Sequence, residues 1–179
     1  VKDGGTYYLY NPGYDKFLSK GNAWGTAAVA DDYGTPVKFT LSDGYYRLHP
    51  VDFVDANADF RGAWWIFSDQ TDNDAQSRWE FIPVEDGNYY LRSKHWYDQS
   101  SWWQYMYVFT NEAEPGNLWR IAGNSNDQVG TSWFKDPDNI TWKLLTPAER
   151  NALIAQSRYS LYQSDLRRGS FSLSAASST

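Results

Sequence analysis

Apolar and polar residues alternate along most of the first 145 positions, which is the period of a strand with one buried face. Tyr7 and Leu9, Tyr46 and Leu48, and Tyr89 and Leu91 fall on the same side of their strands, as do Phe39 and Leu41, Trp79 and Phe81, and Trp119 and Ile121. Clusters such as Asn11-Pro12-Gly13, Asp43-Gly44 and Glu85-Asp86-Gly87 read as turns between them. Asp-Gly at 43–44 and 86–87 links one strand to the next, the second connection being the longer. No segment before residue 146 carries a helical stripe, so the body is predicted to be all-β.

These strands recur as units. Gly5-Thr6-Tyr7-Tyr8-Leu9, Gly44-Tyr45-Tyr46-Arg47-Leu48 and Gly87-Asn88-Tyr89-Tyr90-Leu91 each read Gly-x-Tyr-x-Leu, 39 and 43 residues apart. Phe39-Thr40-Leu41, Trp79-Glu80-Phe81 and Trp119-Arg120-Ile121 close the units at intervals of 40. A period of about forty marks a repeat architecture, whose single units cannot bury their apolar faces alone. A fourth closing phrase, Thr141-Trp142-Lys143-Leu144, follows the third. It is either the true end of unit three, with 110–125 partly an insertion, or an appended hairpin. The helix directly after it favours the first reading.

That helix begins at a capping box: Thr146 at the N-cap, Pro147 at the first helical position and Glu149 three residues after the cap. It is expected from about Pro147 to Arg167, with Ile154 and Leu161 on one face. Arg167 and Arg168 suit its C-terminus and Gly169 can end it. Ser170–Thr179 is rich in Ser and Ala and reads as a linker toward a further domain. The expected organisation is a β domain over 1–145, a helix over 146–168 and a tail over 169–179.

Composition narrows the function classes. Hydrophobic residues make up 41% of 179, enough for a packed core, and aromatics reach 18%, with ten Trp and fourteen Tyr. Buried Tyr and Trp each need a partner for a polar hydrogen, so some of these rings belong at a surface, where aromatic surplus signals binding. A net charge of −6 argues against nucleic acid and against anionic membrane surfaces. With no cysteine there is neither a disulfide nor a thiolate metal site, and no apolar run is long enough for membrane insertion. A chain opening at Val1 reads as a mature or excised fragment.

Three β-rich pseudo-repeats opening with Gly-x-Tyr-x-Leu resemble a β-trefoil. More narrowly, Gly5–Asn11, Lys16-Phe17-Leu18 and Gly21-Asn22-Ala23-Trp24-Gly25-Thr26 resemble a group of trefoil-like domains in large secreted proteins of gut bacteria. Trp142-Lys143-Leu144-Leu145-Thr146 before a charged helix resembles the end of those domains, so the likeness spans 4–165. The resemblance implies a β-trefoil followed by one C-terminal α-helix, in a secreted or cell-surface protein. Trefoil lectins similar to the ricin B chain carry Gln-x-Trp near the end of each repeat. Here the Gln positions hold Ser77, Asn117 or Ile140, and unit one has Phe39 in place of Trp. The sugar sites of that family are therefore not carried over.

The densest candidate site is the run from His95 to Tyr107. Read as a strand, it cannot bury both Trp102 and Trp103. Trp96, Tyr97, Trp102 and Trp103, interleaved with Asp98, Gln99 and Gln104, suit a sugar, whose C–H faces stack on rings while its hydroxyls take amides and carboxylates. The competing reading is that these rings cap the barrel or pack on the helix. Trp64-Trp65 reads more readily as one buried and one rim indole. Asp69–Asp74 lacks the Gly and distal Glu of a calcium loop and reads as a solvated acidic turn. Ser125–Trp133 resembles a sialidase Asp-box with one residue too many, a structural turn even when complete. Asn139-Ile140-Thr141 is a glycosylation sequon.

His49 and His95 are the two histidines, and no hydrolase elbow, zinc-protease motif or phosphate loop accompanies them. The expectation is a non-catalytic module that binds glycan and works beside further domains of the same polypeptide, with no cofactor or metal. A structural spacer is the alternative, and a glycoside hydrolase fragment a third reading.

Overall fold

The computed structural model describes residues 1–20, 28–51, 59–61, 75–99, 104–110, 119–124 and 137–168. Where Asp-Gly ends one half-buried run, the chain reverses in two residues. Asp43 and Gly44 take φ of 53° and 80°, so β4 (Val37–Ser42) pairs with β5 (Tyr45–Pro50) along its whole length. The second connection is longer: Glu85–Gly87 forms a short 3-10 turn between β6 (Trp79–Pro83) and β7 (Tyr89–Ser93), closed by Val84 N–H donating to the Asn88 carbonyl at 2.9 Å.

These strands join β1 (Thr6–Asn11) and β10 (Lys143–Leu145) in a closed ring. β1 pairs with β4, β4 with β5, β5 with β6 at Tyr46 and Trp79, and β6 with β7. Tyr89 and Trp142 exchange backbone hydrogen bonds of 2.7 and 2.8 Å, and β10 returns to β1. Inside the ring the repeat becomes threefold packing. Leu9, Leu48 and Leu91 are fully buried, as are Phe39, Trp79 and Trp142. Tyr7, Tyr46 and Tyr89 are half-buried against the same core.

Trp142 therefore closes unit three. The earlier phrase at Trp119 instead opens β9 (Trp119–Asn124), which pairs in full with β8 (Tyr105–Thr110). In unit one the matching hairpin is β2 (Lys16–Ser19) with β3 (Val29–Asp31), and Val29 meets Arg120 between the two hairpins. Of the corresponding stretch in unit two, Phe60 is buried and its N–H donates to the Leu48 carbonyl at 2.8 Å.

α1 (Lys94–Asp98) interrupts the β pattern directly after β7, with the Ser93 hydroxyl accepting from Trp96 N–H. α2 (Pro147–Arg168) runs one residue beyond the expected end, carrying Glu149 in its first turn and Arg167 and Arg168 in its last. Contacts divide the chain into a unit over Val1–Thr146 and a second that starts at Pro147. No residue of α2 is fully buried: Ile154 is half-buried, while Tyr159, Leu161 and Tyr162 are exposed.

Candidate functional site

Leu91 points into the barrel, so Arg92 points outward between two neighbouring strands. Pairing sets it opposite Glu80 on β6 and Tyr105 on β8. Its Nη2 and Nε donate to one Glu80 oxygen at 2.6 and 3.2 Å, and its Nη1 to the Tyr105 hydroxyl at 3.4 Å. Burial works against the Arg92 charge, but the bonds to Glu80 and Tyr105 outweigh it and hold the guanidinium above its ordinary pKa. The guanidinium carbon lies 3.7 Å from the centre of the Tyr97 ring. One face of Tyr97 is thus occupied, and the ring remains 43% exposed.

α1 presents Tyr97 because Ser93 caps it and its own side chains pair along it. Lys94 Nζ binds the Asp98 carboxylate four residues on, which raises the lysine pKa. Gln99 Nε2 lies 3.2 Å from His95 Nε2, and His95 stands edge-on to Trp96 with centroids 4.6 Å apart. The arrangement offers an aromatic plate beside a carboxylate and an amide, the combination that takes up a pyranose ring.

The structure brings Tyr97, Asp98 and Gln99 together at the surface, while Trp96, which precedes them on α1, is half-buried. It does not bring Gln104 there. Gln104 is 2% exposed; it directly precedes β8, and its carbonyl accepts from Ser93 N–H at 2.8 Å. Trp102 and Trp103 lie outside the described residues, as do Trp64, Trp65, Asp69–Asp74 and Ser125–Trp133. The expected strand begins only at Tyr105, since 94–98 is helical. Arg92, Glu80 and Tyr105 were not singled out from the sequence; the one available sign was a charged residue on the outward side of a predicted strand.

His49 Nδ1 on β5 faces Asp59 at 3.2 Å in unit two. Among the described residues, no group of three or more His, Asp or Glu is placed to hold a metal ion. Among them too, no helix is long and apolar enough to cross a membrane.

No family model matches the sequence, and comparison with curated proteins finds no relative. Solved structures do match. A designed threefold-symmetric protein, ThreeFoil, aligns with TM-score 0.50 and 20% identity, over 79% of this chain and 98% of its own. A GlcNAcα1-4Gal-releasing endo-β-galactosidase from Clostridium perfringens aligns with TM-score 0.52 and 13% identity, over 78% of this chain and 32% of its own. A mosquitocidal holotoxin aligns with TM-score 0.55 and 15% identity, over 80% of this chain and 16% of its own. The chain therefore spans about a third and about a sixth of the last two. With a closed six-stranded ring, threefold core positions and these likenesses, the fold is a β-trefoil followed by one helix.

Proposed function

We propose that this protein is a non-catalytic carbohydrate-binding module of a secreted or cell-surface bacterial protein. The observation that carries the reading is Tyr97, a ring fixed from behind by Arg92 and open in front, with Asp98 and Gln99 beside it. A ring held in place loses little freedom when a sugar stacks on it, and the adjacent acceptors and amide suit hydroxyl groups. Support also comes from neighbours in which this fold is a fraction of a longer chain, one of them a galactosidase. The resemblance to domains of gut-bacterial secreted proteins points the same way.

A glycan array tests the reading, followed by titration of the best glycan into wild type and Tyr97→Ala. The substitution is expected to weaken binding by about 1–3 kcal/mol, as for aromatic anchors elsewhere, with little change in melting. Absence of binding to every glycan in the high-micromolar range would favour a structural spacer.

A further inference from the structure

Beside α1, on the side of β5 and β6 that faces away from the barrel core, cations outnumber their carboxylate partners among the described residues. Tyr46 and Leu48 face the core, so Arg47 lies on the opposite side of β5. Tyr46 pairs with Trp79, which places Arg47 next to Arg78, the residue that leads into β6. The Arg78 carbonyl accepts from Lys94 N–H at 3.1 Å, and Lys94 Nζ lies 5.3 Å from the centre of the Tyr45 ring. Repulsion from Arg78 works to lower the lysine pKa, consistent with the two charges being neighbours.

Lys94 has Asp98 and Arg92 has Glu80, whereas Arg47 and Arg78 have no carboxylate partner among the described residues. Arg47 is only 7% exposed, and its Nη1 is shut off from solvent without a hydrogen-bond acceptor. A guanidinium nitrogen held out of water with nothing to accept its protons is destabilising, and a ligand that supplies an acceptor would relieve this. This grouping of cations among the described residues occurs in a chain of net charge −6, so it does not reflect general composition.

We infer that Arg47, Arg78 and Lys94 form an anion subsite beside the Tyr97 plate, and that the glycan bound there carries a carboxylate or sulfate group. This rests on the glycan-binding reading. The planar guanidinium forks match either group through paired hydrogen bonds, and the lysine adds a compact charge. Lys94 and Tyr97 stand three residues apart on α1, so an acidic sugar could stack on the ring and reach the cations together.

The test uses two probes. An array carries matched neutral, sialylated and sulfated forms of the same glycan cores, and melting is followed in sodium sulfate against sodium chloride at equal ionic strength. Acidic forms are expected to bind wild type at least about tenfold more tightly than their neutral parents, and Arg78→Gln to shrink that ratio to about twofold. Sulfate is expected to raise the melting temperature of wild type by more than that of Arg78→Gln; a general salt effect would raise both alike. Arg47→Gln is the companion variant, and Arg78, being only half-buried, keeps the test independent of whether it folds. Equal binding of neutral and acidic forms, or an unchanged ratio in Arg78→Gln, would overturn the proposal. Binding of sulfate without any glycan would leave the anion subsite standing and remove the glycan reading. No response to either probe would remove both.

Discussion

A single N–H separates the three residues that close the units of this barrel. Trp79 Nε1 donates to the Phe60 carbonyl at 3.1 Å, and Trp142 Nε1 donates to the Met106 carbonyl at 2.9 Å. Phe39 fills the same place in unit one and needs no acceptor there. Trp142→Phe is expected to cost about 1–3 kcal/mol, because the Met106 carbonyl loses its side-chain donor in the core, on top of the lost ring volume. Urea unfolding reads the difference. Glycines give a second contrast at this scale. Gly34 and Gly44 both have positive φ, of 73° and 80°. A Cβ on Gly34 would sit 2.7 Å from the Phe17 Cβ, whereas one on Gly44 would meet nothing within 4 Å. Gly44→Ala should therefore cost about 1 kcal/mol of backbone strain, and Gly34→Ala distinctly more, since packing must shift as well.

At the level of elements, α1 is where reading the sequence by its period fails. Five helical residues span little more than one turn, too short for a 3.6-residue period to show against the alternating background. The available signal was local: Ser93 preceding Lys94-His95-Trp96, with its hydroxyl accepting from Trp96 N–H at 3.5 Å. That bond is long, so Ser93→Ala is expected at the low end of cap losses, about 0.5–1 kcal/mol. Its informative effect is on the site: fraying α1 loosens Tyr97 and weakens glycan binding more than it lowers the melting temperature. Equal affinity in Ser93→Ala would mean that α1 need not be ordered for recognition. The α2 boundary, by contrast, was readable to within a residue, because Pro147, Glu149 and the Arg pair are all local signals.

Across the whole molecule, the threefold core was legible because Leu9, Leu48, Leu91 and the three flanking Tyr residues repeat at matching intervals. Trp119 was misleading for the same reason. Its 40-residue interval imitates a closing strand, although pairing assigns it to the outer hairpin and gives the closure to Trp142. The site was only partly legible. Tyr97, Asp98 and Gln99 stand together in sequence, whereas Arg92, Glu80, Tyr105, Arg47 and Arg78 meet only once strand register is known. On the glycan-binding reading, Tyr97 links fold to recognition: a guanidinium tied to β6 and β8 packs on one face of its ring. The most direct measurement is calorimetric titration of the best array glycan into wild type and Tyr97→Ala at matched concentration. Glycan recognition at this face gives a loss of about tenfold or more, ~1.4 kcal/mol, with unchanged melting. Equal affinity in the two proteins would contradict it.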